Sequence, residues 1–160
     1  MKTCDAIVIG GGVVGSAIAF GLARQGVKVV VLDEGDDAFR ASRGNFGLVW
    51  VQGKGGGRPE YQMLARRSAD DWPKLASELM NETGVDVQHE RRGGVVLCLS
   101  EQAWENRRAE MERIRLEMGN TGFEYEMLEH RDLARLLPGL GPKVVGGSYT
   151  AYDGHSNSLY

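Results

Sequence analysis

The run Gly10-Gly11-Gly12-Val13-Val14-Gly15 carries the strongest chemical signal in this chain. It is a G-x-G-x-x-G pattern set between a short apolar run, Asp5 to Ile9, and a stretch rich in Ala, Ile and Leu. Gly10 makes the tight turn out of a strand, Gly12 lets the backbone approach a pyrophosphate, and Gly15 allows a helix to pack closely on the strand. The helix N-terminus then offers free N–H groups and the positive end of its dipole to phosphate oxygens. Asp33 stands at the tip of a second apolar run, placed to accept hydrogen bonds from the ribose hydroxyls of an adenosine. The competing explanation is a glycine-rich turn in an unrelated α/β domain. Glu34 has two readings, a second contact to the adenosine end or a solvated loop carboxylate, and the sequence leaves both open.

The stretch Arg40-Ala41-Ser42-Arg43-Gly44-Asn45-Phe46-Gly47 separates FAD from NAD as the dinucleotide. A simple NAD domain would enter its next strand–helix unit soon after Asp33. This chain instead runs through a Ser/Gly/Asn loop, whose N–H and hydroxyl donors suit the far side of the pyrophosphate and the ribityl and flavin edge; the alternative is a flexible connection. Trp50 and Gln52 follow that loop and are candidates to line a substrate. Arg91 and Arg92 could reach a substrate carboxylate or face solvent, and His155 could be catalytic or a loop histidine packed on a sheet.

These residues need elements to hold them. Residues 5–9 read as a buried strand, Val13–Gln25 as a helix with Gly26 as its αL cap, and Val27–Asp33 as a central parallel strand. Strand, helix and strand in that order make a βαβ unit with a right-handed crossover. Gly47–Gln52 reads as a short strand. Tyr61–Asn81 has a helical pattern ended by Gly84, with Asp70 or Asp71 capping a second segment at Pro73. Val85–His89 and Val95–Leu99 read as strands, as do Phe123–Leu128 and Lys143–Thr150, with a short helix at Arg131–Leu137. Glu101–Met118 is an amphipathic helix whose Trp104, Met111, Ile114 and Met118 share one face, a packing stripe rather than a cofactor box.

Bulk properties narrow the function classes. The 160 residues are 42% hydrophobic and 26% charged, as in a globular domain with a core. A net charge of -3 gives no electrostatic reason to invoke nucleic acid. Cys4 and Cys98 make no disulfide framework, and no Cys/His cluster has metal-ligand spacing. The apolar stretch Ala6–Ala23 imitates a signal or membrane helix, but Gly10–Gly12 would break such a helix and an apolar strand pattern follows it. The expectation is therefore a protein without a transmembrane segment, in the cytoplasm or peripheral at the inner membrane.

The segment DAIVIGGGVVGSAIAFGLARQGVKVVVLDEGD, followed by ASRGNFGLVW, resembles the N-terminus of the glycine oxidase / D-amino-acid oxidase family of flavoproteins. TGVDVQHERRGGVVLCLSE and VVGGSYTAYDGH are similar to that family in the same order, so the resemblance covers essentially the whole chain. On RGNFGLVWVQGKG it is most similar to bacterial amino-acid and opine dehydrogenase members, including subunits of the hydrogen cyanide synthase type. The resemblance implies that Val13 and Val14 face the pyrophosphate through their backbone and that Asp33 and Glu34 sit at the adenosine ribose. Asp33 stands where the family more often has Glu. It also implies that Arg40, Ala41 and Ser42 contact phosphates and that Asn45, Phe46 and Gly47 pass near the isoalloxazine. Ser156 and Ser158 replace the hydrophobic residue and proline usual in the family.

The resulting expectation is an α/β fold: a discontinuous FAD-binding Rossmann-like domain with a parallel βαβ sheet over 1–85 and 141–160, interrupted by part of an inserted α+β substrate domain over 86–140. The implied activity is FAD-dependent oxidation of a small amine or amino acid to an imine by hydride transfer to flavin. Family enzymes are longer, so a truncated chain inactive alone is expected, with self-association or a partner subunit. No catalytic residue is assigned. The alternatives are a non-catalytic FAD-binding subunit of a larger dehydrogenase complex and an NAD-dependent dehydrogenase domain.

Overall fold

The computed structural model describes residues 3–35, 41–119 and 122–160. The chain forms two compact units, the first ending at Phe46 and the second running from Gly47 to Ser158.

The first unit is the expected βαβ element. β1 (Ala6–Ile9) and β2 (Val29–Leu32) pair in parallel, with α1 (Val13–Arg24) between them in sequence. Gly26, just past the helix end, has a φ of 80°, as the αL cap requires. The register sets Ile7 beside Val30 and Ile9 beside Leu32 on one face of the sheet. All four are exposed, Ile9 to 86%. Their partners of opposite parity, Ala6, Val8 and Val29, are half-buried. Parallel strands are ordinarily covered on both faces, so this pair presents an uncovered apolar surface.

The second unit is built on an antiparallel sheet. β4 (Gly94–Cys98) and β5 (Glu126–Glu129) flank the central strand β6 (Gly146–Thr150). A separate two-residue pairing joins β3 (Leu48–Val49) to β7 (Gly154–His155). Three helices complete it: α2 (Pro59–Thr83), α3 (Glu101–Glu117) and α4 (His130–Leu136). Ser100 caps α3 by accepting the Ala103 N–H at 3.1 Å. The core gathers Val49, Val51, Ala69, Met111, Ile114 and Phe123, with Trp72, Met118 and Tyr152 around it. Met111, Ile114 and Met118 therefore serve packing, as their spacing predicts. Trp104, from the same stripe, lies against Gly146, where a Cβ would collide with the indole.

Three expectations need correction. α2 runs unbroken through Pro73, so no second helix starts there. Asp70 is not a cap but pairs with Arg66 and Arg91. Val85–His89 is not a strand: Asp86 Oδ1 accepts the Gln88 N–H at 2.8 Å, and Gln88 adopts a φ of 50°. That side-chain turn overrides the β-branched pattern. Phe123 belongs to the core but precedes β5, which begins at Glu126.

Candidate functional site

The site in the first unit starts from Gly10. Its φ of 98° turns the chain out of β1, and its N–H donates to the Leu32 carbonyl at 2.8 Å. Gly12 is the N-cap of α1, with extended backbone and no side chain of its own to cap the helix. No acidic residue occupies the first turn, so Val13 and Val14 present the positive end of α1 unneutralised by their own helix. Gly15 packs against the turn so tightly that a Cβ would overlap the Gly10 carbonyl oxygen, which is the close helix–turn contact expected of it.

Two side chains converge on this turn from elsewhere in the sequence. Asp33 Oδ2 accepts the Gly11 N–H at 2.5 Å, and its Oδ1 accepts the Gly35 N–H at 3.0 Å. Ser42 Oγ accepts the Val13 N–H at 3.0 Å. A Cβ on Gly12 would lie 2.9 Å from that hydroxyl. The first N–H of α1, which has no partner within the helix, thus points at an oxygen, the kind of acceptor that a phosphate offers. The donor set, the space that Gly12 leaves and the carboxylate at the end of β2 fit the ADP part of a dinucleotide.

The structure therefore brings Gly10, Gly12, Val13, Gly15, Asp33 and Ser42 together in one unit. Gly11 joins them, although the pattern reading treats that position as a spacer. Glu34, Ala41, Asn45 and Phe46 are exposed. Arg40 lies outside the described residues. Gly47 opens the second unit with a φ of 72°, and its carbonyl accepts the Ser156 N–H at 2.8 Å.

The other candidates are engaged within the second unit. Gln52 is fully buried, so its side chain does not line a substrate; Trp50 is half-buried. Arg91 Nη2 donates to Asp70 Oδ1 at 2.9 Å and its Nε to the Tyr152 carbonyl at 3.2 Å. Arg92 is exposed and pairs with Glu90. His155 is an exposed β7 residue whose carbonyl lies 3.1 Å from His89 Nδ1. His89 stacks on Trp72 at 5.6 Å, and burial holds its imidazole below the usual histidine range, with Arg91 adding to the effect. No group of His, Cys, Asp or Glu among the described residues could hold a metal. None of the described helices is long and apolar enough to cross a membrane.

Sequence reasoning missed the buried polar residues that gather around Gln52: Arg107, Ser148 and Asp153. Arg107 was hidden in an amphipathic helix full of Glu and Arg, where a charged residue reads as solvated.

The profile of the family described as "FAD dependent oxidoreductase" (DAO) matches residues 5–159. The chain is 45% identical over 159 residues to an opine oxidase subunit of Agrobacterium tumefaciens, covering 99% of this chain and 43% of the relative. It is 28% identical over 154 residues to the glycine oxidase of Bacillus licheniformis, covering 96% of this chain and 39% of the relative. Among solved structures, glycine oxidase from Bacillus cereus superposes with a TM-score of 0.81 at 30% identity, over 98% of this chain and 40% of that one. The chain thus spans about two fifths of the length of these three proteins.

Proposed function

We propose that this chain, which belongs to the DAO family of FAD-dependent oxidoreductases, carries the cofactor-gripping part of an enzyme that oxidises an amine or amino acid to its imine. The observation that carries the reading is the convergence of Asp33 and Ser42 on the N–H groups of Gly11 and Val13. In this reading Gly10, Gly12 and Gly15 shape the turn, and the backbone of Val13 and Val14 meets the pyrophosphate. Asp33, with Glu34 beside it, holds the adenosine ribose. Ser42, with its neighbours Arg40 and Ala41, adds phosphate contacts. Asn45, Phe46 and Gly47 lie at the flavin edge. When bound, FAD supplies the hydride acceptor; the protein binds and orients it.

The discontinuous arrangement expected above, a FAD-binding domain over 1–85 and 141–160 with a substrate portion over 86–140, is retained as part of the proposal. The relatives, an opine oxidase subunit and a glycine oxidase, support an amine or amino acid as the substrate class. Equilibrium titration with FAD, ADP and NAD tests the reading: FAD and ADP should bind, and NAD should bind more weakly than FAD. Absence of ADP binding would remove the site.

A second reading has its own support. The 45%-identical relative is a subunit by name, and the Ile7, Ile9, Val30 and Leu32 face is uncovered. Both favour a chain that works within a larger assembly.

A further inference from the structure

The segment Gly47–Gln52 is held at both ends by one stretch of chain, residues 153–156. At one end, Gly47 takes the Ser156 N–H on its carbonyl at 2.8 Å, and a Cβ on Gly47 would overlap the Ser156 carbonyl oxygen. At the other, Asp153 Oδ1 accepts the Val51 N–H at 2.6 Å and the Gln52 N–H at 3.4 Å. Between these ends β3 pairs with β7 through only two residue pairs, Leu48 with His155 and Val49 with Gly154. So short a ladder is a weak determinant of register.

The Gln52 side chain is the hub of what replaces it. Its Nε2 donates to Asp153 Oδ2 at 2.6 Å and to the Gly94 carbonyl at 2.9 Å. Its Oε1 accepts from Ser148 Oγ at 2.7 Å and from Arg107 Nη2 at 2.8 Å. Arg107 Nη2 also reaches the Gln52 carbonyl at 3.0 Å, while Arg107 Nε donates to Ser148 Oγ at 2.7 Å. The third arm of the guanidinium, Nη1, pairs with Glu110 at 2.7 Å. Gln52, Ser148 and Asp153 are fully buried, and Arg107 nearly so.

Burying a guanidinium and a carboxylate is a poor way to gain stability, because desolvation offsets much of the attraction. What such a polar network can supply is direction: hydrogen bonds at these distances weaken steeply when the backbone slips, whereas apolar contacts are non-directional. We propose that Gln52, with Arg107 and Asp153, is a positioning residue that sets the placement of the Gly47–Val51 backbone and so orders the flavin end of the cofactor. This inference rests on the assignment of Asn45–Gly47 to the flavin edge made above.

The test compares the parent chain with Gln52→Leu and Arg107→Lys, using ADP and FAD as probes. ADP affinity reports the glycine turn alone, and visible circular dichroism at saturating FAD reports an ordered isoalloxazine. Gln52→Leu should keep ADP affinity within about two-fold and lose about five-fold or more of the induced flavin signal, with Arg107→Lys intermediate. A full flavin signal in Gln52→Leu overturns the proposal, as does a loss of ADP affinity matching the loss of signal, which would mark a general structural prop. Should Gln52→Leu fail to fold by far-ultraviolet circular dichroism, Arg107→Lys decides, and a parental signal there overturns the proposal. A parent that binds ADP but induces no flavin signal removes the flavin-edge assignment and this inference with it. A parent that binds neither nucleotide removes the cofactor reading itself.

Discussion

Ser42 Oγ stands 3.0 Å from the backbone nitrogen of Val13 and accepts its hydrogen bond. A loop hydroxyl thereby lies at the N-terminus of α1, where Gly12 brings no side chain to cap the helix. The same turn meets Asp33 through Gly11, so both ends of the glycine loop face oxygen atoms from residues later in the chain.

Replacing Asp33 should weaken the hold on the adenosine end. Asp33→Ala removes the acceptor that receives Gly11 and Gly35, and with it the carboxylate assigned to the ribose. FAD affinity should fall by about 1–3 kcal/mol, the scale for a hydrogen bond to a charged acceptor. Fluorescence titration checks this, and equal affinity in variant and parent would sink the assignment.

Gly12→Val places branched carbons where even a Cβ lies 2.9 Å from Ser42 Oγ and where, in the proposed site, the pyrophosphate approaches. Cofactor binding should be abolished while far-ultraviolet circular dichroism stays close to the parent's. A variant that still purifies with stoichiometric FAD would show that the phosphates lie elsewhere.

His89 gives a pH signature. Its native pKa lies below the ordinary value of 6.5, first because burial disfavours the imidazolium and then because Arg91 repels it. The unfolded chain therefore binds this proton more tightly than the native one. The stability that His89 contributes is present above pH 6.5 and is lost as pH falls towards and through the depressed native value. Urea midpoints measured at several pH values below neutrality should fall more steeply for the parent than for His89→Phe. Parallel slopes would show that His89 does not carry the effect.

A polypeptide of these 160 residues alone should not turn over an amine, because it spans only 43% of its opine oxidase relative. Its Ile7, Ile9, Val30 and Leu32 face should also drive association. Anaerobic addition of glycine, sarcosine, D-amino acids, hydroxyproline and opines to the FAD-loaded chain should bleach the flavin no faster than in a flavin-only control. Faster bleaching by any of them would put the substrate site within these residues. Light scattering should show mass rising with concentration, and Ile9→Lys should reduce it.

The βαβ unit and its glycine turn were legible because their determinants are local. A turn that needs positive φ at Gly10, a helix that needs a bare approach at Gly15 and two β-branched runs leave periodic marks within one short window. Asp33 was legible for the same reason, since the end of a strand is a position that a sequence pattern can count to. Turn chemistry at Asp86 and Gln88 was not, because one side-chain hydrogen bond overrides a strand-like run.

Only the tertiary structure decided which polar residues leave water. Gln52 meets Arg107 across 55 residues and Asp153 across 101, and neither separation leaves a mark on local periodicity. Arg107 has the same charge and helical setting as Arg108, yet one is buried against β6 and the other stays in solvent. That difference is set by what packs on each face of α3. Burial is a property of the assembled layers, and no single residue type encodes it.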